Sequence, residues 1–78
     1  MRVLLYGRLA DAIGRKTDVD APSGSSVREL RNELARRHPA AAQTLGRSRA
    51  CIGRSFVGDD HAVATNEEVE FLPPVSGG

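Results

Sequence analysis

The sequence predicts an α+β domain: a mixed sheet with one main helix packed across one of its faces. Three observations predict it. Apolar or alternating runs with β-branched and aromatic character stand near both ends, at residues 3–6 and 67–72. Residues 26–38 carry one amphipathic helix with its own start and stop signals. The segments between them are short and broken by Gly, Pro and Asp.

Taken in order, Val3, Leu4, Leu5 and Tyr6 form the first strand, ended by Gly7. Residues 8–13, with Leu9, Ala10, Ala12 and Ile13, suit one or two helical turns closed by Gly14. Residues 17–21 alternate up to Pro22 and predict a second strand, hairpin-like with the first. Ser26 and Glu29 have the spacing of a capping box. Val27, Leu30 and Leu34 then recur at helical spacing with Ala35 beside them, while Arg28, Arg31, Asn32, Glu33, Arg36 and Arg37 take the other faces. Arg36, Arg37 and His38 suit the helix C-terminus, and Pro39 stops it. Residues 40–46 suit a short second helix. Short strands follow at 49–52 and 55–57, a Gly58-Asp59-Asp60 turn, and the last strand at 67–72. The first and last strands are the most apolar and are expected at the centre of the sheet. Alternation turns Val3, Leu5, Val69 and Phe71 toward the helix, and Leu4, Tyr6, Glu70 and Leu72 away from it.

Seventy-eight residues make one domain, and a chain of this size buries only ~60% of its unfolded surface. The body is expected over residues 1–72, with 73–78 an extended C-terminal tail. The formal net charge of +1 sets up no field that draws nucleic acid or anionic lipid. The arginines from Arg47 to Arg54 lack the interleaved aromatics of a nucleic-acid surface and read as a solvated face. One cysteine, Cys51, fits a reducing compartment and, in an apolar strand, a small core residue. The opening apolar stretch is too short for a signal peptide, and no run approaches the ~18 residues of a membrane span. A soluble cytoplasmic protein with no membrane partner is expected. Asp59, Asp60 and His61 are adjacent rather than spaced as metal ligands, and no Ser-His-Asp set or Gly-rich phosphate loop is visible. No metal or bound cofactor is expected, and the body fits a carrier better than an enzyme.

The tail is the informative part. Pro73 and Pro74 lack amide protons and favour extended backbone, so they lead the chain off the sheet. Val75 and Ser76 follow, and Gly77 and Gly78 add no side chain. Six extended residues reach roughly 20 Å. A slim, flexible tip ending in a carboxylate can enter a channel that any side chain would block, visiting one enzyme for activation and another for delivery.

This chain resembles the β-grasp, ubiquitin-like sulfur carriers. Its ending, Glu70-Phe71-Leu72-Pro73-Pro74-Val75-Ser76-Gly77-Gly78, is similar to that of molybdopterin synthase small subunits. Its opening, Val3-Leu4-Leu5-Tyr6-Gly7-Arg8-Leu9 with Ala12-Ile13-Gly14, fits the same pattern. Two positions depart from it: Ile52-Gly53 stands where a Val-Asn pair is common, and Asn66-Glu67 where a Gly-Asp turn is usual. The resemblance implies a cycle worked at the Gly78 carboxylate, with Gly77 as its steric escort. A ubiquitin-activator-like adenylyltransferase uses ATP to make the acyl-adenylate. A sulfur donor protein converts it to a thiocarboxylate. The tail then enters the large synthase subunit, in a heterotetramer, and delivers sulfur for the dithiolene of molybdopterin. Related carriers place apolar residues against their partners at the positions of Tyr6, Phe56 and Leu72, so a binding surface is expected there with Pro73, Pro74, Val75 and Ser76. Two alternatives stay open: a carrier for thiamine or cysteine synthesis, whose tails more often read Val-Ala-Gly-Gly, and a protein modifier forming isopeptide bonds with lysines.

Overall fold

Residues 1–74 are described by a computed structural model of the chain. The elements run β1 (Arg2–Leu5), α1 (Arg8–Ile13), β2 (Lys16–Asp18), α2 (Val27–Arg37), a 3-10 turn (Pro39–Ala41), α3 (Ala42–Arg47), β3 (Arg49–Ile52), β4 (Ser55–Val57) and β5 (Glu68–Leu72). The five strands form one sheet in the order β2-β1-β5-β3-β4. Only the β1–β5 pair is parallel, with Val3 opposite Val69 and Leu5 opposite Phe71. Parallel neighbours cannot be joined by a hairpin. Everything between β1 and β5 is therefore free to wrap, and α2 crosses the sheet on the way.

The capping box starts α2 as its sequence demands. Ser26 Oγ accepts from the Glu29 amide at 3.1 Å, while the Ser26 amide donates to Glu29 Oε1 at 3.1 Å. Such a cap contributes typically ~1 kcal/mol. Val27, Leu30 and Leu34 are fully buried against Val3, Leu5, Val69 and Phe71 of the sheet, with Leu9 of α1 and Leu45 of α3 closing the ends. Each fully buried side chain of this size is worth about 1.5–3 kcal/mol. The expected inward set is thus the core.

Several boundaries differ from the sequence reading. β1 ends at Leu5, so Tyr6 lies just beyond the strand, and β2 covers Lys16–Asp18 rather than 17–21. The Val19 side chain is buried and its backbone continues the pairing, its amide donating to the Met1 carbonyl at 2.8 Å and its carbonyl accepting from the Met1 amino group at 2.7 Å. The 40–46 helix is split between the 3-10 turn and α3 because Pro39 opens a tight turn first.

Arg31, read as lying on the faces away from the apolar stripe, is buried instead. It lies one turn on from Val27, beside the apolar stripe, and its side chain is only 11% exposed. One guanidinium nitrogen donates to the Leu45 carbonyl, to the Ser48 carbonyl at 2.9 Å and to Ser48 Oγ at 2.7 Å. The other pairs with Asp59 at 2.9 Å, and the group lies 5.1 Å from the Phe71 ring centroid. Arg31 therefore ties α2 to the end of α3 and to the loop after β4.

Candidate functional site

Among the described residues no helix covers the face of the sheet turned away from α2. Strand alternation and register arrange its side chains in rows. One row runs Lys16, Leu4, Glu70, Cys51 and Phe56 across all five strands. Arg49 and Leu72 stand opposite one another in the next row, toward the tail. Asp18, Arg2 and Glu68 form the row at the far end, where Arg2 and Glu68 are 3.1 Å apart.

Three of the expected partner-binding residues lie on this face or at its margin, Leu72 on β5, Phe56 on the edge strand β4 and Tyr6 just beyond β1. Leu72 is half-buried on β5, Tyr6 is 42% exposed and Phe56 is 57% exposed. The Tyr6 hydroxyl donates to Glu70 Oε2 at 2.6 Å, which holds the ring over β5 although Tyr6 is outside the ladder. That bond, helped by partial desolvation and by the Glu70 and Glu68 charges, keeps the Tyr6 phenol above its ordinary pKa. Phe56 lies under the Arg49 guanidinium, whose central carbon is 3.7 Å from the ring centroid.

Pro73 follows directly on β5 and packs against Gly7. A Cβ built on Gly7 would meet Pro73 Cγ at 3.0 Å, and Gly7 has φ +57°. Glycine is required there twice over, for the backbone and for the proline ring. The contact sets where the chain leaves the sheet. Pro74 is exposed. Val75, Ser76, Gly77 and Gly78, the other residues of the expected site, lie outside the described residues.

Cys51 is buried as expected, at 9% exposed, but it lies apart from the main cluster, because β3 turns Ala50 toward the helix and Arg49 and Cys51 toward the open face. It stands on the open face between Glu70 and Phe56, covered by its neighbours. Ala50 at the next position was the signal: a strand cannot turn both inward. Arg49 was missed because its stack on Phe56 depends on cross-strand register. Gly7 was read only as a strand end.

An open hollow of about 840 Å³ lies at the opposite end of the face among Arg2, Leu4, Asp18, Arg54 and Glu68. Its lining mixes charges of both signs and pairs no nucleophile with a base. Among the described residues no cluster of three or more His, Cys, Asp or Glu could hold a metal ion. No helix among them is long and apolar enough to cross a membrane. What the arrangement offers is an exposed surface with apolar and charged side chains beside Pro73 and Pro74.

A family model described as the ThiS family matches residues 3–78. The chain is similar to the molybdopterin synthase sulfur carrier subunit of Escherichia coli (strain K12), with 29% identity over 80 residues covering 100% of this chain and 99% of that protein. Its fold is similar to the crystal structure of SAMP1 from Haloferax volcanii, at TM-score 0.81 and 24% identity over 99% of this chain and 97% of that one. It is also similar to a chain in a complex of subunits 1 and 2 of the molybdopterin-converting factor from Helicobacter pylori 26695. There the TM-score is 0.68 and the identity 17%, over 99% of this chain and 96% of that one. The fold is the β-grasp, ubiquitin-like one.

Proposed function

Because the chain belongs to the ThiS family, we propose that it is a sulfur carrier for molybdopterin synthesis, acting as the small subunit of the synthase with Gly78 as its working residue. The observation that carries this reading is the family match running through the Gly-Gly end, on a chain whose last strand opens into Pro73 and Pro74 beside an apolar patch. The relative in Escherichia coli bears the name of that subunit and matches from end to end.

The chemistry follows from what a carboxylate lacks. It is a poor electrophile until one oxygen becomes a leaving group. An adenylating partner supplies this by joining Gly78 to the adenylyl group of ATP, with pyrophosphate leaving. The terminal sulfur of a donor protein's persulfide then attacks the acyl carbon, AMP departs, and a thiol cleaves the resulting acyl disulfide to release the thiocarboxylate. Sulfur is softer and more nucleophilic than the oxygen it replaces, and it stays attached to a protein rather than free as sulfide. Within the large subunit the thiocarboxylate attacks the pyranopterin precursor, and hydrolysis of the resulting acyl link returns the carboxylate. This chain's own residues position the reaction and exclude misfits: the prolines stiffen the stalk, Gly77 and Gly78 keep the tip thin, and the patch docks the body. ATP belongs to the activating partner.

Mass spectrometry of the protein from its native host tests the reading. A C-terminal species heavier by one oxygen-to-sulfur exchange, abolished by deleting Gly78 with the fold intact, is the expected result. Lysine conjugates without that species would make the chain a protein modifier. Neither species would refute a carrier role.

A further inference from the structure

We infer that Arg49, stacked on Phe56, is a specificity determinant that selects a partner protein bearing a carboxylate beside its apolar contact. The inference rests on the reading of the chain as the synthase small subunit and goes beyond it by naming the chemistry of the partner surface.

Four observations carry it. Arg49 lies directly opposite Leu72, the last residue of β5, so any protein that receives the tail passes over it. Its guanidinium carbon is 3.7 Å from the Phe56 centroid, and both residues are exposed. A guanidinium over an aromatic face is attracted to the ring through its charge and leaves its N–H donors available to a carboxylate. Among the described residues nothing uses those donors, since Arg49 makes no ion pair and no side-chain hydrogen bond. Glu70, the carboxylate on the neighbouring strand, accepts from Tyr6 instead.

The contrast with Arg31 is instructive. That arginine is buried and bonded through both terminal nitrogens, as a structural arginine should be. Arg49 is exposed, stacked on Phe56 and, among the described residues, unpaired. Neutral apolar surface docking here would cover a charged fork without satisfying it, which is unfavourable. A partner with a carboxylate at that point gains a bidentate bond and faster, salt-sensitive association. Arg49 thus divides acceptable from unacceptable partners while Tyr6, Phe56 and Leu72 supply the contact area.

The test is the affinity of the full chain for the synthase large subunit of the same organism, by calorimetry from about 50 mM to about 500 mM salt. Wild type is expected to bind, more tightly as salt falls. Arg49→Gln should weaken binding roughly tenfold at low salt and flatten the salt dependence. Arg49→Lys should keep the salt dependence while losing part of the affinity, because it has charge without a fork. Melting temperatures of both variants should match wild type. If Arg49→Gln binds like wild type, or binds weakly with the wild-type salt dependence, the carboxylate is refuted and the functional reading stands. If wild type fails to bind the large subunit, both fall.

Discussion

Truncating Phe56 to alanine asks how much of the docking energy this chain holds in one exposed ring. The residue is 57% exposed, and a phenylalanine presents on the order of 200 Å². About 110 Å² is therefore available to a partner. At ~25 cal/mol per Å², covering it fully is worth roughly 3 kcal/mol, or about two powers of ten in Kd. The part already covered in the free protein, about 90 Å², sets an upper bound near 2 kcal/mol on the loss of stability. A loss of about 1–2 kcal/mol lowers the melting temperature by roughly 5–15 °C in a domain of this size. Phe56→Ala should therefore remain folded at room temperature and bind the large subunit about 30–100-fold more weakly. Calorimetry on the purified pair, with a thermal melt on the same sample, reads both quantities. A Kd within about threefold of wild type would show that the ring stays uncovered in the complex, and the surface assignment would be wrong.

Two further outcomes concern the body of the fold. Leu34 is fully buried under α2, so Leu34→Ala should cost ~2–5 kcal/mol in a urea melt; a cost below about 1 kcal/mol would contradict the packing of α2 on the sheet. Glu33 accepts from Arg36 and Arg37, in that order of effect, which lowers its pKa from 4.5 to about 2. A depressed carboxyl stabilises the folded state above its unfolded pKa and loses that contribution as pH falls through the folded one. Glu33→Gln should be less stable than wild type at neutral pH and converge on it between 4.5 and about 2; stability curves that stay parallel through this window would remove the pair from the account.

Much of this architecture was legible in the residues because local and global signals agree. The capping box at Ser26 and Glu29, the Val27–Leu30–Leu34 stripe and the inward turn of Val3, Leu5, Val69 and Phe71 each follow from a fixed period, 3.6 or 2. What escaped depends on register. Nothing in the order of residues states that Arg49 faces Leu72, or that Cys51 stands between Glu70 and Phe56. Arg31 was misread for a related reason. It sits off the apolar stripe by spacing, yet Leu45, Ser48 and Asp59 supply oxygens to both of its terminal nitrogens. Gly7 looked like a strand end, and its closeness to Pro73 appears only once β1 and β5 lie side by side.

That parallel pairing also governs the life of the molecule before it is finished. Arg2 of β1 bonds Glu68 of β5, 66 residues later in the chain. During synthesis β1 emerges among the first residues, yet the strand that gives it a place at the centre arrives last. Pairings so distant in sequence close late and slow the search for the native state. A chain cut short before β5 lacks the middle of its sheet rather than an edge, and it also lacks Glu70 and Leu72 from the docking surface. The open face of the sheet is therefore complete only once the last strand of the chain has taken its place.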